Sequence, residues 1–337
     1  MNYNMQAYIK AISYYLPESI LTNEQIVSEF PEWTVEKIDS KIGIKNRRIA
    51  GENETATDMA VNAAEKLITE HSIDKSTIDY ILFCTQSPDY YLPTSACIIQ
   101  DKLGLSTSIG AFDINLGCSG FVYGLSVAKG LIYGGMASNV LLITSETYSK
   151  YIHNRDKGNR AIFGDAAAAT LISTQGIAEI LNFSFGTDGK GAENLIVKTG
   201  GARFHQPKND LILDDFGNPK SSDFLYMDGS EILNYTLDYF PPLVMDTLKK
   251  NDIELKDVDL FVFHQANKYI MSLLRKKLKI DEEKFFRFYE NVGNTVSSTI
   301  PIALKEASDQ GSIIKSYKVL LAAPGLGYSW GGVLLNY

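Results

Sequence analysis

The sequence predicts an α/β fold built from two similar halves. Short β-branched runs alternate with helical patterns along the 337 residues, a pattern typical of this fold class. Buried strands are expected at residues 78–84, 140–145, 258–263 and 319–323. Amphipathic helices are expected at residues 57–69 and 242–250, before two of those strands. A weak internal repeat is the observation that suggests two halves.

The repeat relates several segments by nearly the same separation. Residues 76–84 resemble residues 256–264, and Gly117 with Cys118 opens one helix as Gly293 with Asn294 opens another. The repeat predicts an N-terminal half, residues 1–175, that carries the cysteine, and a C-terminal half, residues 176–337. Residues 187–228, rich in Gly, Asn and Asp, are expected to form a long excursion.

Composition narrows the functional classes. Hydrophobic residues make up 45% of the chain and charged residues 21%, as in soluble globular proteins. A net charge of −8 argues against a nucleic-acid partner. Three cysteines indicate a reducing compartment rather than a disulfide scaffold. Residues 1–10 do not resemble a secretion signal, and no run is long enough to span a bilayer, so we expect a cytoplasmic protein.

Cys118 lies where a strand-like stretch meets a helix-like one. Free N–H groups and the dipole at a helix N-terminus favour negative charge, and the thiolate is the nucleophilic form of cysteine. The neighbouring Gly117 and Gly120 allow a tight turn and close approach of a ligand. The sequence therefore favours a nucleophilic thiol over the alternative, a buried structural cysteine.

His264 and Asn294 lie at two further positions where a predicted helix is about to begin. Alone, His264 could be a semi-buried structural histidine and Asn294 a helix N-cap. Equivalent strand ends of a duplicated sheet converge, so the repeat is expected to bring both side chains towards Cys118. The surroundings of the cysteine do not fit a papain-like protease. The scattered histidines predict no metal site.

Five motifs carry a resemblance to a known family. They lie at residues 113–121, 163–169, 264–267, 293–295 and 327–331. The chain resembles the thiolase superfamily and, within it, β-ketoacyl-acyl carrier protein synthase III. The resemblance implies a five-layered αβαβα fold of two duplicated halves and a homodimer.

The same resemblance implies a condensation chemistry. Cys118 would take an acyl group from a thioester, and malonyl-acyl carrier protein would then lose CO2 to give an enolate. His264 Nε2 and the Asn294 amide would donate hydrogen bonds to the enolate oxygen, and the backbone N–H groups of Cys118 and Leu326 would bind the acyl carbonyl. No cofactor would be bound permanently, since the substrates are phosphopantetheine thioesters of acyl carrier protein or coenzyme A.

The resemblance also implies surfaces for the acyl chain and the carrier protein. Phe163, Met227 and Leu233 would line the acyl pocket, and Leu92 would reach into the pocket of the partner subunit. Residues 265–279 contain basic residues and no acid, which suits an acidic carrier protein, although a solvated surface helix is the alternative. The residues expected at the docking face or the tunnel are Lys41, Asn267, Lys268, Tyr269, Arg275, Lys276 and Lys277.

Four positions depart from the family pattern. Lys37 and Lys41 stand where the family often has Trp and Arg, and Tyr269 stands where it commonly has Arg. Leu326 interrupts a stretch that is often Phe-Gly-Gly-Gly. These departures favour a specialised member that loads its acyl group from a carrier protein, in a secondary or surface-polysaccharide pathway. Acyl transfer from Cys118 to an alcohol or amine, without decarboxylation, is the alternative, and a non-catalytic binding protein is a third.

Overall fold

The structure, a computed structural model, describes residues 6–215 and 217–337. The first five residues, on which the expectation about a secretion signal partly rests, lie outside the described residues. The strands are β1 Tyr8–Tyr15, β2 Ser19–Thr22, β3 Asn46–Ile49, β4 Tyr80–Cys84, β5 Gly110–Ile114, β6 Asn139–Glu146, β7 Ala166–Ser173, β8 Ala178–Thr187, β9 Leu195–Ile196, β10 Ile212–Leu213, β11 Pro219–Lys220, β12 Tyr226–Met227, β13 Leu260–Phe263, β14 Lys318–Gly325 and β15 Ser329–Asn336. The helices are α1 Asn23–Glu29, α2 Val35–Lys41, α3 Ala56–Glu70, α4 Ser95–Lys102, α5 Gly120–Tyr133, α6 Lys157–Arg160, α7 Gly229–Lys250, α8 Lys268–Leu278 and α9 Thr299–Asp309.

A nine-stranded mixed sheet carries the two halves in the order β13-β14-β15-β8-β1-β7-β6-β4-β5. In the first half β4 and β6 are parallel, while β6, β7 and β1 are antiparallel neighbours. The second half repeats this arrangement with β13 and β14 parallel and β14, β15 and β8 antiparallel. Phe285 forms an isolated parallel bridge to β13. It takes the position in the second half that β5 occupies beside β4 in the first. The duplicated fold is confirmed, and the division at residue 175 stays a prediction.

Helices cover both sheet halves and also separate them. The central helices α5 and α9 pack between the halves, where they share one apolar cluster with β6, β13 and β14. Helices α3 and α4 cover the outer face of the first half, and α7 and α8 cover that of the second. This αβαβα layering is the predicted one. It also explains the apolar runs at the predicted strands β4, β6, β13 and β14, because these strands are buried on both faces.

Helix α7 begins much earlier than the sequence suggests. The pattern predicts a helix from residue 242, but α7 starts at Gly229, where Asp228 caps the N-terminus by accepting hydrogen bonds from Ser230 N and Glu231 N. Pro241 and Pro242 lie inside α7. Proline removes a backbone donor and usually breaks a helix. The two prolines are therefore the reason why the sequence pattern does not predict the first half of α7.

The excursion between β8 and α7 is closed at its base by a short ladder. Tyr226 of β12 pairs with Ile196 of β9, and Met227 pairs with Leu195. This ladder holds Leu195 and Met227 beside the site described below. Within the described part of the chain, the helices are all too short or too polar to cross a membrane.

Candidate active site

A cavity of about 540 Å³ lies where the two halves meet. Cys118, His264, Asn294 and Leu326 all line it, although they come from four separate segments of the chain. The structure therefore brings together the predicted nucleophile, the two predicted side-chain donors and the residues of both predicted backbone donors. The other lining residues include Lys41, Tyr148, Phe163, Leu195, Met227, Ile232, Leu233, Tyr235, Asn267, Tyr269 and Pro324.

Cys118 directly precedes Ser119, the N-cap residue of α5, as the sequence predicts. The residue is 9% exposed and packs in an apolar cluster. Burial and, to a smaller extent, the nearby Glu146 carboxyl raise the pKa of the Cys118 thiol to about 12. In the resting site, desolvation therefore outweighs the favourable position of the thiol at the helix start.

The turn that holds Cys118 packs tightly against the turn that holds Leu326. Ser119 Oγ and Ser329 Oγ are 2.7 Å apart and share a hydrogen bond. A Cβ atom at Gly325 would lie 2.7 Å from Ser119 Oγ and 3.0 Å from Ser119 N, so only glycine fits there without a shift. The backbone N–H groups of Cys118 and Leu326 have no acceptor among the described residues, which leaves both free for a substrate oxygen.

His264 follows β13 and is anchored on both its backbone and its ring. Its backbone N donates to Ala322 O at 3.0 Å, and its Nδ1 lies 2.7 Å from Thr299 Oγ1. Burial lowers the pKa of His264 to about 3, so the ring is neutral at pH 7. With Nδ1 engaged by Thr299, Nε2 is the ring nitrogen left for a ligand.

The Thr299 hydroxyl can set the tautomer of His264 in two ways. If it donates to Nδ1, Nε2 carries the ring proton and is a hydrogen-bond donor. If it instead donates to Val296 O, which lies 3.0 Å away, Nδ1 carries the proton and Nε2 is an acceptor. The sequence could not foresee this partner, because Thr299 opens α9, far along the chain from His264.

Asn294 is fixed by a strained loop. Its backbone N donates to Ile162 O at 2.9 Å, and its carbonyl accepts from Gly164 N at 3.0 Å. Its Oδ1 accepts from Val296 N at 3.0 Å, and Val296 has a φ of +54°, which is rare for a β-branched residue. The bond to Oδ1 leaves the Nδ2 group of Asn294 without a partner among the residues that the structure describes, as an oxyanion donor requires.

The predicted acyl-pocket residues separate into two groups. Phe163, Met227 and Leu233 line the cavity, although their role stays a prediction. Leu92 does not line it: the side chain is 85% exposed on the surface of its own chain.

Sequence reasoning missed Tyr148 and Tyr235 as part of the wall. The Tyr148 hydroxyl donates to Gln86 Oε1 at 2.5 Å, and that of Tyr235 donates to Ser329 O at 2.7 Å. Tyr235 was missed because it lies in the unrecognised first half of α7.

The predicted docking residues lie in three places. Lys41, Asn267 and Tyr269 line the cavity, and Asn267 Oδ1 caps α8 by accepting from Ile270 N. The Lys277 ammonium donates to Leu237 O at 2.7 Å. The remaining predicted residues line a separate polar cleft of about 440 Å³: Lys268, Arg275 and Lys276.

Acids outside residues 265–279 partly neutralise this basic helix. Glu282 pairs with Arg275 at 2.8 Å and also with Arg287, while Asp39 and Glu290 line the same cleft. The absence of acids within residues 265–279 therefore overstates the positive charge of the folded surface. Among residues 6–215 and 217–337, no cluster of three or more His, Cys, Asp or Glu is placed to hold a metal ion.

Comparisons with known proteins agree with this architecture. The family described as 3-oxoacyl-[acyl-carrier-protein (ACP)] synthase III matches residues 112–189, and its C-terminal domain matches residues 248–337. A β-ketoacyl-[acyl-carrier-protein] synthase III of Chlamydia pneumoniae is 37% identical over 100% of this chain and 98% of its own length.

Two crystal structures of related proteins also superpose closely. A 3-oxoacyl-(acyl-carrier-protein) synthase III has a TM-score of 0.96 at 45% identity and covers 98% of this chain and 100% of its own. A 3-oxoacyl-(acyl-carrier protein) synthase of Burkholderia xenovorans has a TM-score of 0.90 at 34% identity, with 98% and 94% coverage. Fold and site thus define a thiolase-like acyltransferase. The chain belongs to the β-ketoacyl-[acyl-carrier-protein] synthase III family.

Proposed function

We propose that this chain catalyses a decarboxylative Claisen condensation between an acyl thioester and malonyl-acyl carrier protein, with Cys118, His264 and Asn294 as catalytic residues. One observation carries the proposal: these three side chains, from both halves of the fold, line a single cavity together with Leu326. Family membership supports the reaction class, and the convergence of the three side chains supports their proposed roles.

In the first half-reaction the Cys118 sulfur attacks the carbonyl carbon of the donor thioester. The thiol proton passes to the sulfur of the departing thiol, so that a cysteine thioester and a free thiol result. Because the pKa of Cys118 is raised by burial, proton loss accompanies attack. The proton passes to the departing sulfur without a stable imidazolium, since burial lowers the pKa of His264 to about 3. The N–H groups of Cys118 and Leu326 bind the oxyanion of the tetrahedral intermediate.

In the second half-reaction the malonyl thioester loses CO2 and forms an enolate. Its carbon attacks the Cys118 thioester, which yields the β-ketoacyl product and returns the cysteine as a thiolate, which then takes up a proton. His264 Nε2–H and Asn294 Nδ2–H donate to the enolate oxygen. Since the pKa of His264 is lowered to about 3, the imidazole acts as a neutral donor, and each donor contributes roughly 3 kcal/mol.

The cavity mouth is suited to a phosphopantetheine arm. Lys41, Asn267 and Tyr269 line it, and Lys276 in the neighbouring cleft offers a positive charge to an acidic carrier protein. Tyr269, 54% exposed, takes the place of a cationic residue, which favours a carrier protein over coenzyme A as the donor.

A second copy of the chain is the proposed partner for an exposed apolar segment. Tyr90, Tyr91 and Leu92 are 62%, 78% and 85% exposed, and such a contiguous apolar patch is typical of an interface. A homodimer would bury it and would bring Leu92 to the acyl pocket of the partner. Three free cysteines fit a reducing cytoplasm.

Release of CO2 from malonyl-acyl carrier protein tests the reaction. We expect CO2 and a β-ketoacyl-acyl carrier protein in equal amounts, in the presence of an acyl-acyl carrier protein or an acyl-coenzyme A donor. A donor that acylates the enzyme and is then transferred to an alcohol or amine without CO2 release would contradict condensation and favour acyl transfer.

A further inference from the structure

Glu146 is a fully buried carboxyl group that the proposed mechanism does not use. It is the last residue of β6 and is 0% exposed. Its Oε2 accepts from Gln86 N at 3.0 Å and from Ser87 Oγ at 2.8 Å. Its Oε1 accepts from Ser297 Oγ at 3.1 Å. A carboxyl group held this firmly in the interior requires an explanation.

These bonds tie together the two sides of the cavity. Gln86 Oε1 accepts a hydrogen bond from the Tyr148 hydroxyl, and it would lie 2.6 Å from a Cβ at Gly117, the residue before Cys118. Ser297 belongs to the loop that presents Asn294. A single carboxyl group therefore bonds both to Gln86, whose side chain holds Tyr148 in the wall beside the cysteine, and to the loop that carries the amide donor.

The charge state of Glu146 is finely balanced. It takes part in no ion pair among the described residues. Burial raises the pKa of Glu146 to about 8 against the effect of its hydrogen bonds, so the acid is mostly neutral at pH 7. The titratable groups that face it are Cys84, Cys118, Tyr148, Tyr151 and Asp165.

We propose that Glu146 is a positioning residue that controls the ionisation of Cys118: the neutral acid permits a thiolate, and the carboxylate holds the cysteine as a thiol. Like charges in a buried space disfavour each other, so this part of the site holds one negative charge more easily than two. Glu146 neither gives nor takes the substrate proton. The inference rests on the proposed function, in which the Cys118 thiolate forms on attack and again on product formation.

Alkylation of Cys118 by iodoacetamide tests this control without turnover. The background is the full chain with Cys97→Ser, since Cys97 is exposed and lies outside the cavity. The rate of modification is followed by intact mass from pH 6 to pH 10. In Glu146→Gln we expect alkylation about tenfold faster at pH 9, which corresponds to a thiol pKa lower by about one unit.

Ser297→Ala provides a second and milder variant. It removes one hydrogen bond to the carboxylate, which raises the pKa of Glu146 and keeps the acid neutral to higher pH. Cys118 should then react faster between pH 8 and pH 10, by a smaller factor than in Glu146→Gln. Ser298→Ala is the matched control, because the Ser298 hydroxyl donates to Thr144 O and not to Glu146, and its profile should match the background.

Two results would overturn the proposal. One is a folded Glu146→Gln whose alkylation profile superimposes on the background. The other, which decides the matter if Glu146→Gln does not fold, is an unchanged profile in Ser297→Ala. Because alkylation needs no donor or malonyl substrate, either result would leave the proposed condensation standing, and absence of condensation would leave the Glu146 measurement interpretable.

Discussion

The turn that carries Cys118 and the turn that carries Asn294 occupy equivalent places in the two halves, but they are built differently. Cys118 lies two residues before α5, with Ser119 as an N-cap that makes no side-chain capping bond. Asn294 lies five residues before α9, and a 3₁₀ turn at Val296–Ser298 separates them. Positive φ angles occur at Gly293 and Val296 in this longer turn.

The difference indicates how one topological position can serve two chemical roles. The short turn leaves backbone N–H groups free beside the sulfur, which suits a nucleophile whose product is an oxyanion. In the longer turn the backbone groups and Oδ1 of Asn294 make internal hydrogen bonds, whereas its Nδ2 group has no partner among the described residues. Strain of this kind at Val296 persists where the surrounding structure over-determines it.

Removal of the Asn294 amide donor is expected to distinguish the roles of the two turns most clearly. In Asn294→Ala we expect condensation to fall about a hundredfold, roughly 3 kcal/mol, because the enolate loses one hydrogen bond. Acylation of Cys118 should change little, since it uses the other turn. Asn291→Ala is the control, an exposed amide of the same segment outside the cavity. Equal losses in both half-reactions would contradict the division of roles.

Acid stability provides a second test, centred on His264. Its folded-state pKa is lowered to about 3, whereas in the unfolded chain it titrates at about 6.5. Between these values the unfolded state binds the extra proton, so stability falls as the pH drops through 6.5. At pH 5 the free energy of unfolding is lower by about 2 kcal/mol for this reason.

Urea denaturation at pH 7 and pH 5 measures this loss. The His264→Gln variant should lose about 2 kcal/mol less than the wild type over the same interval, because glutamine does not titrate. If the two proteins showed the same difference between pH 7 and pH 5, His264 would not be the buried neutral group described above.

The smallest expected effect concerns Thr299, which links the Asn294 turn to His264. Thr299→Val removes the hydroxyl that lies 2.7 Å from His264 Nδ1. A buried nitrogen without its hydrogen-bond partner costs about 1–2 kcal/mol of free energy. We expect condensation to fall about tenfold, with restoration in Thr299→Ser. A serine variant as slow as the valine variant would show that packing, and not the hydroxyl, accounts for the loss.

Much of this arrangement can be read from the sequence, and the limits have physical causes. Buried strands and the repeat predict the convergence of Cys118, His264 and Asn294, because periodicity and chain position determine which strand ends meet. The early start of α7 is hidden by Pro241 and Pro242. The raised pKa of Cys118 depends on burial and on Glu146, which are properties of packing that local sequence does not encode.

The charge of the predicted docking surface is a second property that local sequence does not determine. The run of basic residues on α8 is visible in the sequence, whereas its pairing with Glu282 depends on how the following segment folds back. Thr299 and Glu146 were missed for a related reason. Each contacts the site across a large distance in the chain, and neither lies in a segment whose pattern indicates chemistry.

The most direct test of the account follows the acyl group on Cys118 by intact mass. Incubation with an acyl-acyl carrier protein should add one acyl group to the wild type and to Cys97→Ser, and none to Cys118→Ala. Addition of malonyl-acyl carrier protein should then remove the adduct as β-ketoacyl product appears. Condensation that persists in Cys118→Ala, or an adduct that malonyl-acyl carrier protein does not discharge, would contradict the account.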